Sequence, residues 1–233
     1  MSSDDYSPEI KNKLLEYLET FISDNKSSLF DEIIKSRTRF ITVILEDIYQ
    51  SHNASAVLRT CDCFGIQDVH VIENRNTYEI NPDVALGSSK WLNLKKHNED
   101  DNNTLRCYDE LRKQGYRIVA TTPNNDDTML DKLDLSQKLA LVFGTELEGL
   151  SDIAIDNADE YVKIPMYGFT ESFNISVSAA ICLHYLSEKL RSSDTDWRLN
   201  EEEIINTRLE WVKSVLKRPD MYEKEFRKNN GFD

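Results

Sequence analysis

The chain reads as an α/β protein with a mostly parallel sheet, helices on both faces and helical extensions at its ends. Three observations predict this. ITVILEDI, Ile41 to Ile48, is β-branched and almost continuously apolar, as suits a strand buried on both faces of a parallel sheet. Short apolar runs then alternate with helical segments that stop at a glycine, Gly65 or Gly115. The flanking segments, 1–39 and 191–233, carry helical rather than strand spacing, so they read as extensions of a core domain at 40–190.

Taken in order, an amphipathic helix runs from about Pro8 to Ser23, where Ile10, Leu14, Leu15, Leu18 and Ile22 recur at helical spacing. A second short helix covers Leu29 to Ile34. After the first strand, YQSHN makes a polar loop, Ala54 to Phe64 a helix ended by Gly65, and Val69 to Glu73 a second strand, which completes one βαβ unit. An Asn-rich loop leads to a helix near Leu105 to Gln114, stopped by Gly115. Strands follow at Tyr116 to Thr121, at Leu139 to Phe143 and at Tyr161 to Ile164. The last strand opens into a loop at Pro165 that relaxes at Gly168, then into a long helix entered near Ser172 or Asn174. Ile175, Val177, Ala179, Ala180, Ile181, Cys182, Leu183 and Leu186 leave little polar surface before Lys189, so that helix is expected to be buried on most sides.

Composition excludes several classes. With 233 residues, 39% of them hydrophobic, the chain can bury an ordinary core. It holds no apolar run long enough for a membrane span, and MSSDDYSPEI is too polar for a signal peptide, so a cytoplasmic protein is expected. Cys61, Cys63, Cys107 and Cys182 match neither a zinc site nor a secreted disulfide framework, and His52, His70, His97 and His184 show no metal-binding spacing. No metal is expected.

The formal charge of −14 argues against general affinity for nucleic acid, which rests on Lys and Arg displacing counterions. Two local clusters run the other way. One is Lys35, Arg37 and Arg39; the other is Arg208 to Lys228, with seven basic residues, Lys213, Lys217 and Arg218 among them, against four acidic ones. Either is a solvated face or an RNA contact.

Ligands of parallel α/β sheets sit at the carboxyl ends of the strands. There the chain places His52, Asn53 and Arg59, then Thr121 and Thr122, then GTELEGLS, then the polar turn Thr170, Glu171, Ser172 and Asn174. A helix N-terminus favours anions and polar ligands, because its first N–H groups have no intrahelical partner. No G-x-G-x-x-G follows a strand and GTELEG lacks the ending of a phosphate-binding loop, which disfavours a dehydrogenase or an NTPase.

HNASAVLRTCDCFGI, LVFGTELEGLS and IPMYGFTESFNISVSAA, in that order, resemble the three motifs of the SPOUT superfamily, in its branch of TrmH-like RNA 2′-O-ribose methyltransferases. GSSKWLNLKKH and the Arg208 to Lys228 tract are similar to the tRNA guanosine methyltransferases of that branch. The resemblance implies a deep C-terminal trefoil knot, S-adenosyl-L-methionine (AdoMet) bound against the knotted loops, and a homodimer packed through them. It also implies methyl transfer to a ribose 2′-hydroxyl in tRNA, foremost the D-loop guanosine at position 18. Methylation of another tRNA or rRNA ribose, or a non-catalytic knotted RNA-binding protein, is the alternative. The joint presence of Asn53, Arg59, Glu146, Ser172 and Asn174 favours the enzyme.

By the same resemblance, Arg59 handles the ribose hydroxyl or a neighbouring phosphate and Asn53 orients Arg59. A guanidinium holds its proton to about pH 12, so phosphate positioning suits it better than base catalysis. Gly144 and Glu146 come from the second motif, Ser172 and Asn174 from the third; Glu148 matches no motif position and reads as a solvated carboxylate. Thr121, Gly144, Ile164 and Phe173 fall where the family contacts AdoMet, Phe173 at the adenine pocket. Phe173 stands where leucine is usual in this branch, which implies a narrower pocket or a shifted helix entry.

Overall fold

The computed structural model describes residues 6–77, 87–100, 102–123 and 128–231. The chain divides into two compact units, Thr38–Trp197 and a second one built from Met1–Arg37 together with Arg198–Asp233.

The larger unit holds seven strands among the described residues: β1 (Ile41–Glu46), β2 (Asp68–Ile72), β3 (Asn93–His97), β4 (Arg117–Thr121), β5 (Thr128–Met129), β6 (Leu139–Phe143) and β7 (Glu160–Lys163). All pair in parallel, in the order β3-β2-β1-β6-β4-β7-β5. Successive side chains of a strand point to opposite faces. Val43, Leu45, Val69, Val71, Leu141 and Phe143 accordingly pack with Val57, Leu58 and Leu183 in one core cluster, while Ile44, Ile72, Ala140 and Val142 pack with Cys107, Tyr108 and Leu111 in the other. The first cluster draws on helices Ser51–Cys63 and Ile175–Arg191, the second on Asn103–Lys113 and Asp152–Asp156. Gly65 and Gly115, at φ +75° and +85°, end the helices the sequence assigns them. β3 and β5 do not stand out in the sequence because both are sheet edges: β3 exposes Lys95 and Lys96, and β5 is two residues long.

The Ile175–Arg191 helix begins one residue after Asn174, whose side chain accepts the Ser176 N–H. Its burial is narrower than its composition suggests. Ile175, Ala179, Cys182, Leu183, Leu186 and Leu190 face the core, but Val177 and Tyr185 are exposed. Cys61, Cys107 and Cys182 are buried free thiols and Cys63 is an exposed one.

The two terminal segments belong to one unit rather than two. Helix Pro8–Glu19 buries Leu14, Leu15 and Leu18 and packs against helix Glu201–Val215, which buries Leu209, Trp211 and Val212. This packing consumes much of the charge proposed for RNA. Arg37 is buried with its guanidinium 5.3 Å over the Trp211 ring, Arg208 is paired with Glu19 and Asp31, and Lys213 Nζ lies 2.8 Å from Glu223. In the larger unit, Arg39 Nε lies 2.9 Å from Asp68. Arg37 is thereby withdrawn as an RNA contact, because burial and the indole face hold it in the core; Arg39 and Lys213 are neutralised by acidic partners. Lys35, Lys217 and Arg218 are exposed and their side chains make no hydrogen bond or ion pair among the described residues. No helix among the described residues is long and apolar enough to cross a membrane.

Candidate active site

The motif loops leave the sheet at the carboxyl ends of β1, β6 and β7, and β1, β6, β4 and β7 are successive neighbours in the sheet. Adjacent strand ends bring residues far apart in sequence together. Asn53 Nδ2 donates to Glu146 Oε1 at 2.9 Å and to Gln50 Oε1 at 2.6 Å. Asn174 Nδ2 donates to Asn53 Oδ1 at 3.2 Å and to the same Glu146 oxygen. One residue from each motif thus joins a single hydrogen-bonded hub. The charged acceptor at its centre makes these bonds stronger than amide pairs alone.

Glu146 also lines a cavity of about 410 Å³, within the range of small-molecule sites. Thr121 and Thr122 from the end of β4, Gly144 after β6, Ile164 after β7, and Ser172 and Phe173 before the long helix line it too. Thr121 Oγ1 donates to Val142 O at 2.8 Å, which fixes that rotamer against β6. Gly144 is required by close approach: a Cβ there would lie 2.2 Å from Gly149 O. Opposite, Gly149 takes φ +72°, open to glycine at little cost. Thr145 N–H donates to Gly149 O at 2.9 Å and Gly149 N–H returns a bond to Thr145 O at 3.1 Å, so residues 144–150 close into a small hairpin.

Residues 40–184 match the SpoU rRNA Methylase family. The chain belongs to this family. A relative from Borreliella burgdorferi, a tRNA (guanosine(18)-2′-O)-methyltransferase, is 47% identical over 205 residues, which cover 88% of this chain and 92% of that one. The crystal structure of the Aquifex aeolicus TrmH/SpoU tRNA modifying enzyme superposes with a TM-score of 0.72 at 28% identity, covering 83% of this chain and 98% of that one. The SpoU methyltransferase AviRb from Streptomyces viridochromogenes, crystallised with AdoMet, shares the fold at a TM-score of 0.56 and 20% identity, over 70% of this chain and 62% of that one.

Within this SpoU domain, two expectations need correction. Asn53 makes no side-chain hydrogen bond to Arg59 among the described residues: its amide is held by Gln50, Glu146 and Asn174, and Arg59 lies six residues on, about 9 Å along the helix. Arg59 is exposed and its side chain makes no hydrogen bond or ion pair among the described residues. Glu148 is not merely solvated, since Arg75 Nη2 lies 2.9 Å from it. Gln50 was absent from the sequence-derived site. Its position three residues before Asn53, at the N-terminus of that helix, is the signal that could have found it.

On the β2–β3 side of the SpoU sheet, His70 Nδ1 and His97 Nε2 lie 2.9 Å apart, with Cys107 within 4.8 Å of both. Burial, reinforced by His97, pulls the His70 pKa from 6.5 down to about 3; burial also lowers His97 and pushes the Cys107 thiol up. One neutral imidazole therefore donates to the other, beside the buried Cys107 thiol.

Proposed function

We propose that this chain transfers a methyl group from AdoMet to the ribose 2′-hydroxyl of guanosine 18 in tRNA. The observation that carries the reading is the Asn53–Glu146–Asn174 hub, whose Glu146 lines a cavity of cofactor size, in a chain 47% identical to a relative of that named activity.

The cavity fits AdoMet in kind. Phe143, Ile164 and Phe173 offer apolar surface for an adenine, Thr121 and Thr122 offer hydroxyls, and Glu146, Glu148 and Glu171 place carboxylates where a sulfonium and an ammonium need counter-charge. When bound, AdoMet supplies a methyl group already activated on sulfur, so the protein's share is alignment. The hub holds the Glu146 and Asn174 loops in register at the cavity edge. Arg59 is a free, planar, bidentate donor suited to an RNA phosphate, and positions the substrate ribose while that phosphate shares the hydroxyl proton. Lys35, Lys217 and Arg218 supply the remaining phosphate contacts. No metal takes part in this reading.

The reading includes a trefoil knot in the C-terminal half of the core domain, a homodimer and a cytoplasmic location. Tyr167 and Phe169 are almost wholly exposed in the loop before the long helix, and Val177 and Tyr185 are exposed on it. Apolar surface of this extent supports burial against a second copy.

The test is incubation with unmodified tRNA and methyl-labelled AdoMet, with and without a chelator, followed by nucleotide mapping. Label on the ribose of guanosine 18, undiminished by chelation, is expected. Label on a base, or on rRNA alone, would overturn the reading.

A further inference from the structure

We propose that Glu46 is the positioning residue that sets the orientation of the Glu146 hairpin, a role that rests on the methyltransferase reading above. Glu46 ends β1 and is 2% exposed. Its Oε1 accepts from Thr104 Oγ1 at 2.7 Å and from Ser151 Oγ at 2.8 Å, and its Oε2 accepts the Ser151 N–H at 2.9 Å. A carboxylate at the end of a mostly apolar strand is costly to bury and persists only with such donors. Two of the three belong to Ser151, the residue at which the 144–150 hairpin leaves.

That hairpin has no slack. The paired bonds between Thr145 and Gly149, a Glu148 N–H donated to Thr145 Oγ1 at 3.1 Å, and the contact of Gly144 with Gly149 make it one small body. A closed body takes its orientation from its two ends. One end is Phe143, fixed in β6; the other is Ser151, fixed by Glu46. Glu146 lies between them and presents its carboxylate to Asn53 and Asn174. Glu46 therefore reaches the hub through the backbone, without touching it.

The next residue strengthens the arrangement. Asp47 takes φ +52°, the only non-glycine residue described with a positive φ, and its Oδ1 accepts the N–H groups of Asn74 and Arg75 at 2.8 Å. Arg75 then pairs with Glu148 on the hairpin. Consecutive carboxylates at the end of β1 thus hold the hairpin directly on one side and through the β2 loop on the other. The exposed Arg75–Glu148 pair is the weaker tie, because solvent screens it.

A purely structural role is the competing account, since Ser151 Oγ also accepts the Ala154 N–H and caps the Asp152–Asp156 helix. A double-mutant cycle separates the two. Glu46→Gln keeps the shape but turns one acceptor into a donor facing Ser151 or Thr104. Single-turnover methyl transfer at saturating AdoMet should fall roughly 10²-fold, the usual effect of a misplacement near 1 Å. In a Glu146→Ala background, where no carboxylate is left to orient, the same substitution should cause no further loss. Equal losses in both backgrounds, or a wild-type rate in Glu46→Gln, would overturn the proposal. Should Glu46→Gln not fold, Ser151→Ala removes one donor while keeping its N–H, and enters the same cycle with the same expectations. A wild-type protein that transfers no methyl group overturns the underlying function; an active wild type with additive losses overturns only the positioning role.

Discussion

Asn174 donates its side-chain amide to Glu146 while its own Oδ1 accepts the Ser176 N–H at 2.8 Å, so one asparagine both starts the long helix and holds the active-site carboxylate. The two duties can be separated. Asn174→Asp keeps the cap acceptor but faces Glu146 with a second carboxylate, and one of such a pair takes up a proton at raised pKa. Methyl transfer should fall by at least tenfold near pH 8 and recover as the pH is lowered, with thermal stability close to wild type. A flat rate–pH profile in the variant would remove Asn174 from the hub. Asn174→Ala, by contrast, should also lose about 1 kcal/mol of stability with the cap.

Gly144→Ala tests the close approach beneath the cavity. Its Cβ would meet Gly149 O at 2.2 Å, where the obstacle is backbone and cannot rotate away. The hairpin must open, and AdoMet affinity measured by calorimetry should drop by at least tenfold; wild-type affinity would show that the hairpin is more pliable than its bonds imply.

Arg59 stands outside the hub with no partner among the described residues, and it does not line the cavity. Arg59→Ala should therefore abolish methyl transfer while leaving AdoMet affinity nearly unchanged. Near-normal turnover would mean that another cation places the phosphate.

What the sequence disclosed follows from the period of its contacts. β1 and β6 are buried on both faces, so their apolar runs are nearly unbroken; β6 keeps the bounds read from the sequence, whereas β1 stops at Glu46, two residues before the expected Ile48. Gly65 and Gly115 mark their helix ends because the left-handed turn selects glycine. The hub could be anticipated residue by residue only through the motif resemblance, since Asn53 and Glu146 meet across 93 residues. The duty of Glu46 was hidden for the same reason: Ser151 is 105 residues away. Charge was the least legible feature. Lys35, Arg37 and Arg39 look alike in a row, yet one is exposed, one lies over an indole and one is paired with Asp68.

His70 gives the fold a defined acid sensitivity. Its pKa is about 3 when folded against an ordinary 6.5, so the unfolded chain binds the proton more readily. The His70 contribution to stability is complete above about pH 6.5 and is lost as the pH falls toward 3, by roughly 1 kcal/mol per pH unit. Urea unfolding between pH 7 and pH 5 should show that slope on top of the carboxylate contribution, and His70→Gln should flatten it. An identical slope in the variant would mean that His70 titrates normally.

The exposed cations of the C-terminal segment are the last to be tested, and the structure separates them from their neighbours. Lys217 and Arg218 are exposed with no partner among the described residues, whereas Lys213 is bonded to Glu223, whose side chain is almost wholly buried. With a net charge of −14, long-range attraction to RNA is unfavourable, so tRNA affinity has to come from short-range phosphate contacts. Replacing Lys217 and Arg218 by Ala should weaken tRNA binding and flatten the plot of log affinity against log salt by about two units, with AdoMet binding and unfolding temperature unchanged. Lys213→Ala should do the reverse, destabilising the helical unit by about 2 kcal/mol as Glu223 loses its nearest cation, with little change in salt slope. If the double variant keeps both its tRNA affinity and its salt slope, the C-terminal helices serve only to cover the N-terminal ones, and the phosphates are held by Arg59, Lys35 and groups of the core domain.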